Sequence, residues 1–186
     1  MSLRRIVLVL TLIGTSALAT VSAVLAQTEE PPLAPNVPEA HPTFVAEMTG
    51  FEEAPGAATR AKGFAGFQVS MDGNTVYYTI TVTDSSAQLV AAHLHLAPRG
   101  EAGPVVVPLC GQPGKPCQTE GVVSSGSFTS DAFTGLYASD VLSRLINDAE
   151  NGMVYVNVHS TKYPAGEARG QLVDVSNLMP VLEPSG

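Results

Sequence analysis

Residues 92–107 read AHLHLAPRGEAGPVVV, and this stretch decides the fold of the chain. Its apolar ends and its Gly/Pro-rich middle predict a strand, a loop and a second strand. Because successive side chains of a strand point to opposite faces, His93 and His95 should lie on the same face. A third histidine, His159, ends the strand-like segment Val154-Tyr155-Val156-Asn157-Val158. The position of the His159 imidazole decides whether His93 and His95 belong to a cluster of three histidines.

Strand signals recur at short intervals along the chain. The predicted strands are Thr43–Gly50, Lys62–Met71, Thr75–Thr83, Leu89–Ala97, Pro104–Leu109, Val122–Thr129, Met153–Ser160 and Ala168–Val175. The dipeptide Asp72-Gly73 between two of them is typical of a tight hairpin. Seven or eight short strands predict an all-β fold, an antiparallel, Greek-key-like sandwich or barrel.

Residues 139–150 follow a helical period instead. Their apolar side chains form one stripe, made of Val141, Leu142, Leu145 and Ile146. Ser139 or Asp140 is expected to cap the helix N-terminus, and Asn151-Gly152 to supply left-handed residues at its end. The fold should therefore contain one short helix.

The first 26 residues are typical of a secretion signal. Arg4 and Arg5 precede an apolar run, and Val24-Leu25-Ala26 offers small residues for cleavage after Ala26. An uncleaved membrane anchor is the alternative, although polar residues dilute the run. We expect a signal peptide at 1–26, a Pro-rich linker at 27–42, one domain at 43–176 and a tail at 177–186.

The charge of the mature chain limits its partners. Cleavage removes two of the nine basic residues and none of the 17 acidic ones, which leaves a net charge of 7 − 17 = −10. Such an acidic protein is not expected to bind nucleic acid or an anionic membrane. We expect a secreted, periplasmic or extracellular protein whose partner is another protein or the envelope or matrix, with no membrane contact after cleavage.

Cys110 and Cys117 are the two cysteines of the chain. They flank a turn-rich hexapeptide, and an exported protein meets an oxidising compartment, so we expect a disulfide between them. A two-thiolate metal site is the alternative.

Three of the predicted strands have one apolar and one polar face. The polar faces carry His93 and His95 on the first strand, Tyr155, Asn157 and His159 on the second, and Glu167, Arg169 and Gln171 on the third. We expect these faces to point outward and, if the three strands are neighbours, to form one functional surface.

Two interpretations of this polar surface are open. In the first, His93, His95 and His159 bind copper or zinc, with Glu167 as a fourth ligand or as a hydrogen-bond acceptor for an imidazole. The surrounding positions would then be Tyr155, Asn157, Arg169 and Gln171. In the second, the residues form a structural hydrogen-bond network, in which His93 and His159 donate to loop carbonyls and Glu167 pairs with Arg169 or a backbone amide.

Other chemistries find little support. The chain has no Gly-x-Ser-x-Gly nucleophile elbow and no glycine-rich phosphate loop before a helix. Glu52 and Glu53 lie in a predicted loop and are expected to be solvated. A non-enzymatic protein is therefore the first expectation, with no certain cofactor.

Several segments resemble one known family. Ala92-His93-Leu94-His95, Gly103–Val107, Tyr155–Ser160 and Tyr163–Leu172 are similar in order and spacing to the chordin (CHRD) domain. Ser160 and Ala168 depart mildly from the residues usual in that family.

The resemblance implies a secreted all-β module, here a bacterial-type single-domain member that acts in binding or in the cell envelope. A looser likeness links the His-x-His strand and Arg169 to the Cu/Zn superoxide dismutase sandwich. The bridging histidine and the zinc-binding aspartate cluster of that enzyme have no counterpart here, so the likeness does not imply dismutase activity, although it leaves a mononuclear copper site open.

Overall fold

The structure is a computed structural model that describes residues 43–175. The predicted signal peptide (1–26), the Pro-rich linker (27–42) and the predicted tail (177–186) lie outside the described residues. Within the described part of the chain, no helix is long and apolar enough to cross a membrane.

Nine strands lie between residues 43 and 175. They are β1 (Phe44–Thr49), β2 (Lys62–Val69), β3 (Val76–Thr83), β4 (Leu89–Leu96), β5 (Val105–Cys110), β6 (Gly121–Phe128), β7 (Val154–Ser160), β8 (Ala168–Gln171) and β9 (Val173–Asp174). All eight predicted strands are confirmed, and the last divides at Leu172 into β8 and β9. The Asp72-Gly73 hairpin is also confirmed, because β2 and β3 pair up to Val69 and Val76 around it.

The strands form one antiparallel sheet in the order β5-β4-β7-β8-β1-β2-β3-β6, and β9 also pairs with β1. The neighbours β4–β7, β8–β1 and β3–β6 are distant in sequence, which makes the topology Greek-key-like as predicted. The two end strands approach each other, because the hydroxyl of Ser124 on β6 donates to the Leu109 carbonyl on β5 at 3.1 Å. Tyr78, on the neighbouring β3, donates to the same carbonyl at 2.8 Å. The sheet is therefore a nearly closed barrel.

Apolar side chains fill the inside of this barrel. As the composition predicts, they are mainly Val, Leu and Ala with a few aromatic residues, including Phe67, Tyr78 and Phe128. Cys110 belongs to this core and is bonded to Cys117, with 5.2 Å between their Cα atoms. The disulfide prediction is confirmed, and the two-thiolate metal alternative is wrong.

The helix, α1, begins at Leu142 and ends at Glu150. The predicted capping is wrong: Ser139 is left-handed at φ 72°, and the Asp140 carboxylate binds the Val141 amide and Arg144 instead of the helix amides. Val141 is exposed and lies before the helix, so it does not belong to the buried stripe. At the other end, Asn151 has φ −87° and only Gly152 is left-handed.

Candidate metal centre

The site lies on three neighbouring strands in the middle of the sheet. β7 pairs with β4 on one side and with β8 on the other. The pairing register aligns His95 with Tyr155 and Gln171, and His93 with Asn157 and Arg169. We call these six residues, together with His159, the polar face.

The polar face lies opposite the apolar core face, as predicted, but it is not an open surface. Every residue of β7 and β8 is buried, and segments 50–59, 97–104 and 161–167 make hydrogen bonds to this side of the sheet. The covering segments bring backbone carbonyls that accept hydrogen bonds from the polar face. Gln171, for example, donates to the carbonyl of Ala97, and it also donates to that of Gly152, which follows α1. Alternation identified the face correctly but could not show that loops cover it.

Arg169 attaches the 97–104 segment to the sheet. Its guanidinium donates to the carbonyls of Glu101 and Pro98, at 2.5 and 2.9 Å. It also lies 3.4 Å above the centre of the Tyr155 ring, which in turn stacks on His95 with ring centres 4.8 Å apart. With only 2% of its surface exposed, Arg169 is among the largest buried side chains of the described residues.

The structure brings the three predicted histidines together. One ring nitrogen from each of His93, His95 and His159 lies within 4.8 Å of the others. His93 Nδ1 is 3.1 Å from His159 Nε2, and the rings of His93 and His95 are 5.6 Å apart. His95 and His159 are buried, whereas His93 is partly open to solvent. Access to the cluster is therefore from the His93 side.

Backbone carbonyls define the protonation of two rings. His95 Nδ1 lies 2.9 Å from the Gly103 carbonyl, and His159 Nδ1 lies 3.0 Å from the Pro164 carbonyl. A carbonyl can only accept, so each Nδ1 carries the proton and each Nε2 presents a lone pair. His95 Nε2 is buried without a hydrogen-bond partner, whereas His159 Nε2 accepts from His93.

Burial keeps all three imidazoles neutral. Desolvation, followed by the neighbouring His159 and His95, lowers the pKa of His93 to about 4. Desolvation also lowers the pKa of His95 and of His159, although each has a carbonyl hydrogen bond that acts in the opposite direction. Neutral imidazoles are the form that binds metal ions.

Glu167 is not brought to the histidines. Its carboxylate accepts from the Ser86 amide at 2.6 Å and from the hydroxyls of Thr59 and Ser85, at 2.9 and 3.3 Å. It is fully buried in this second cluster and is not one of the grouped metal-ligand candidates. The amide contact is one of those that the structural-network interpretation anticipated.

Glu53 is the carboxylate that the sequence interpretation missed. It was expected to be solvated, yet both of its oxygens accept from Asn157 Nδ2, at 2.9 Å each. Desolvation raises its pKa to about 7, although Arg169 and Asn157 act in the opposite direction. The neighbouring Glu52 binds Arg99 at the surface. Nothing in the local sequence distinguishes the two acids, because a loop fold decides which one turns inward.

Fold and site together define a class: an antiparallel β module with a buried cluster of three histidines under a loop cover. The CHRD domain family model matches residues 44–172, which are most of the chain. The chain belongs to the CHRD domain family. Comparisons with curated proteins and with solved structures found no match.

The first prediction concerns Arg169. The Arg169→Met variant loses the charged hydrogen bonds to the carbonyls of Pro98 and Glu101. Its free energy of unfolding should therefore fall by about 3 kcal/mol in chemical denaturation. Amide exchange in segment 97–104 should accelerate in the same variant.

Arg99→Met is the matched control for this change. The Arg99 side chain is 60% exposed in its ion pair with Glu52, so the loss should be about 1 kcal/mol or less. Equal losses in the two variants would contradict the role assigned to Arg169.

The second prediction concerns pH and the metal-free protein. The histidines have lowered pKa values in the folded state, so the unfolded chain binds more protons than the folded chain between about pH 4 and 6.5. The contribution of the histidines to stability therefore falls as the pH falls through that range. The contribution of Glu53 to stability changes with pH in the opposite direction. Its raised pKa stabilises the folded protein fully below pH 4.5, and this stabilisation is lost as the pH rises towards 7.

Glu53→Gln separates the two contributions. The free energy of unfolding of this variant should fall more steeply than that of the wild type as the pH is lowered from neutral. Its stability relative to the wild type should therefore increase with pH. Urea denaturation at several pH values measures both curves, and parallel curves would rule out the ionisation assigned to Glu53.

Proposed function

We propose that this chain is an exported CHRD module that binds one transition-metal ion, copper or zinc, through His93, His95 and His159. The observation that carries the proposal is the His95 Nε2 lone pair, which is buried without a partner beside two other imidazoles. An unpaired buried polar atom costs about 1–3 kcal/mol, and a metal ion would satisfy it.

The surroundings of the rings fit a metal site. Imidazoles that bind metals almost always donate their other N–H to a carbonyl or carboxylate, and His95 and His159 do so to Gly103 and Pro164. Nitrogen donors suit copper and zinc better than magnesium or calcium. Such an ion would supply Lewis acidity and, for copper, one-electron chemistry.

A second candidate function is a binding or structural module that uses no metal. It is favoured by the 3.1 Å hydrogen bond between His93 and His159, which pairs these two rings without an ion. In this alternative the polar face holds the loop cover in place, and the cover contacts a protein or matrix partner.

Metal titration separates the two candidates. Chelator-treated protein titrated with Cu(II) or Zn(II) should bind one ion per chain with micromolar or tighter affinity, and binding should raise its melting temperature. The His93→Ala/His95→Ala double variant should lose this binding by about a hundredfold or more, because it removes two of three ligands.

His41→Ala is the matched control, since His41 belongs to the predicted linker and not to the cluster. It should bind metal as the wild type does. Absence of stoichiometric binding at micromolar metal would refute the metal proposal. The scaffold alternative predicts instead that the double variant melts several degrees lower and that metal has no effect on either protein.

Export is the other part of the proposal. It is supported by the Cys110–Cys117 disulfide, because such bonds persist in oxidising compartments. Mass spectrometry of the exported protein should show a chain that begins at Gln27 and contains no alkylatable thiol. A chain that still begins at Met1, or two alkylatable cysteines, would contradict export with cleavage after Ala26.

A further inference from the structure

Two buried side-chain atoms have no hydrogen-bond partner in the described part of the chain, and both lie on the polar face. One is His95 Nε2 and the other is Asn157 Oδ1. Asn157 is 3% exposed, pairs in register with His93 and lies two residues from His159 on the same face of β7. Asn157 is therefore next to the three-histidine cluster in the sheet.

The orientation of the Asn157 amide is well defined. Its nitrogen donates to both oxygens of Glu53, at 2.9 Å each, so the nitrogen lies on the Glu53 side. Gly166 packs against the same side: a Cβ atom there would lie 2.5 Å from Glu53 Oε2 and 2.7 Å from Asn157 Nδ2. Gly166 precedes β8, whereas the histidines of β4 lie along the opposite edge of β7. The oxygen faces away from Glu53.

We propose that Asn157 Oδ1 is a ligand of the same metal ion, completing a set of three nitrogens and one oxygen, and that Glu53 is the residue that positions it. This inference rests on the proposed function. It assigns to Asn157 the fourth position that the sequence had suggested for Glu167, whose carboxylate is held elsewhere by Ser86 and Thr59.

The chemistry of this arrangement is favourable. An amide oxygen is a neutral donor, and a carboxylate that accepts from the amide nitrogen draws electron density towards the oxygen and locks its direction. Three imidazoles and a hard oxygen favour a divalent ion over soft Cu(I).

Two substitutions at one position test the proposal. Asn157→Leu keeps roughly the volume and removes the oxygen, so Zn(II) affinity should fall by about tenfold or more. The visible spectrum of the Co(II) form should change with it. Asn157→Asp keeps an oxygen donor, so it should retain affinity within about tenfold and a spectrum like that of the wild type.

A purely structural role for Asn157 predicts a different pattern. Leu and Asp both abolish the donation to Glu53, so both variants should then be destabilised alike, with Zn(II) affinity unchanged or lowered equally. Either of those results would overturn the proposal.

Carbon-13 NMR of the wild type provides a test that needs no folded variant. Saturation with Zn(II) should shift the side-chain carbonyl signal of Asn157 by more than that of Gln171, whose amide is already bound to the Ala97 and Gly152 carbonyls. A protein that binds Zn(II) with an unchanged Asn157 signal would refute this inference alone. A wild type that binds no metal would refute the proposed function instead.

Discussion

Attachment of the 97–104 segment to the sheet by Arg169 is the interaction on which the rest of the site depends. The guanidinium is buried between the Tyr155 ring and the carbonyls of Pro98 and Glu101. These contacts hold the 97–104 segment, whose Gly103 carbonyl accepts from His95. A buried cation needs such complete solvation by protein groups, because its desolvation costs several kcal/mol. The residue that fixes the cover thus also fixes one imidazole.

Charge balance around the site follows from the same residue. Arg169 helps to keep His95 neutral, and it counters part of the effect of burial on Glu53. The polar face therefore holds one permanent cation and three neutral imidazoles, and Glu53, whose pKa is about 7, contacts it from segment 50–59.

Placement on central strands gives the cluster a rigid base. β4, β7 and β8 each have strand neighbours, and the pairing of His93 with Asn157 and of His95 with Tyr155 is set by the register of β4 and β7. Side chains on paired strands are positioned more precisely than side chains on loops. His159 joins the pair because alternation places it on the same face as Asn157. Much of the cluster could therefore be predicted from periodicity and one correct neighbour relation.

The sequence by itself determined the local features: the strand segments, the Asp72-Gly73 hairpin, the disulfide and the shared face of His93 and His95. These depend on periods and turn residues within a few positions, which are visible along the chain. Only the tertiary structure decided that loops bury the polar face, that Glu53 and not Glu167 reaches Asn157, and that Val141 stays outside the helix stripe. The reason is physical: those outcomes depend on contacts between residues that are distant in sequence, such as Asn157 and Glu53, which are 104 residues apart. A local sequence pattern cannot show which of these long-range contacts forms.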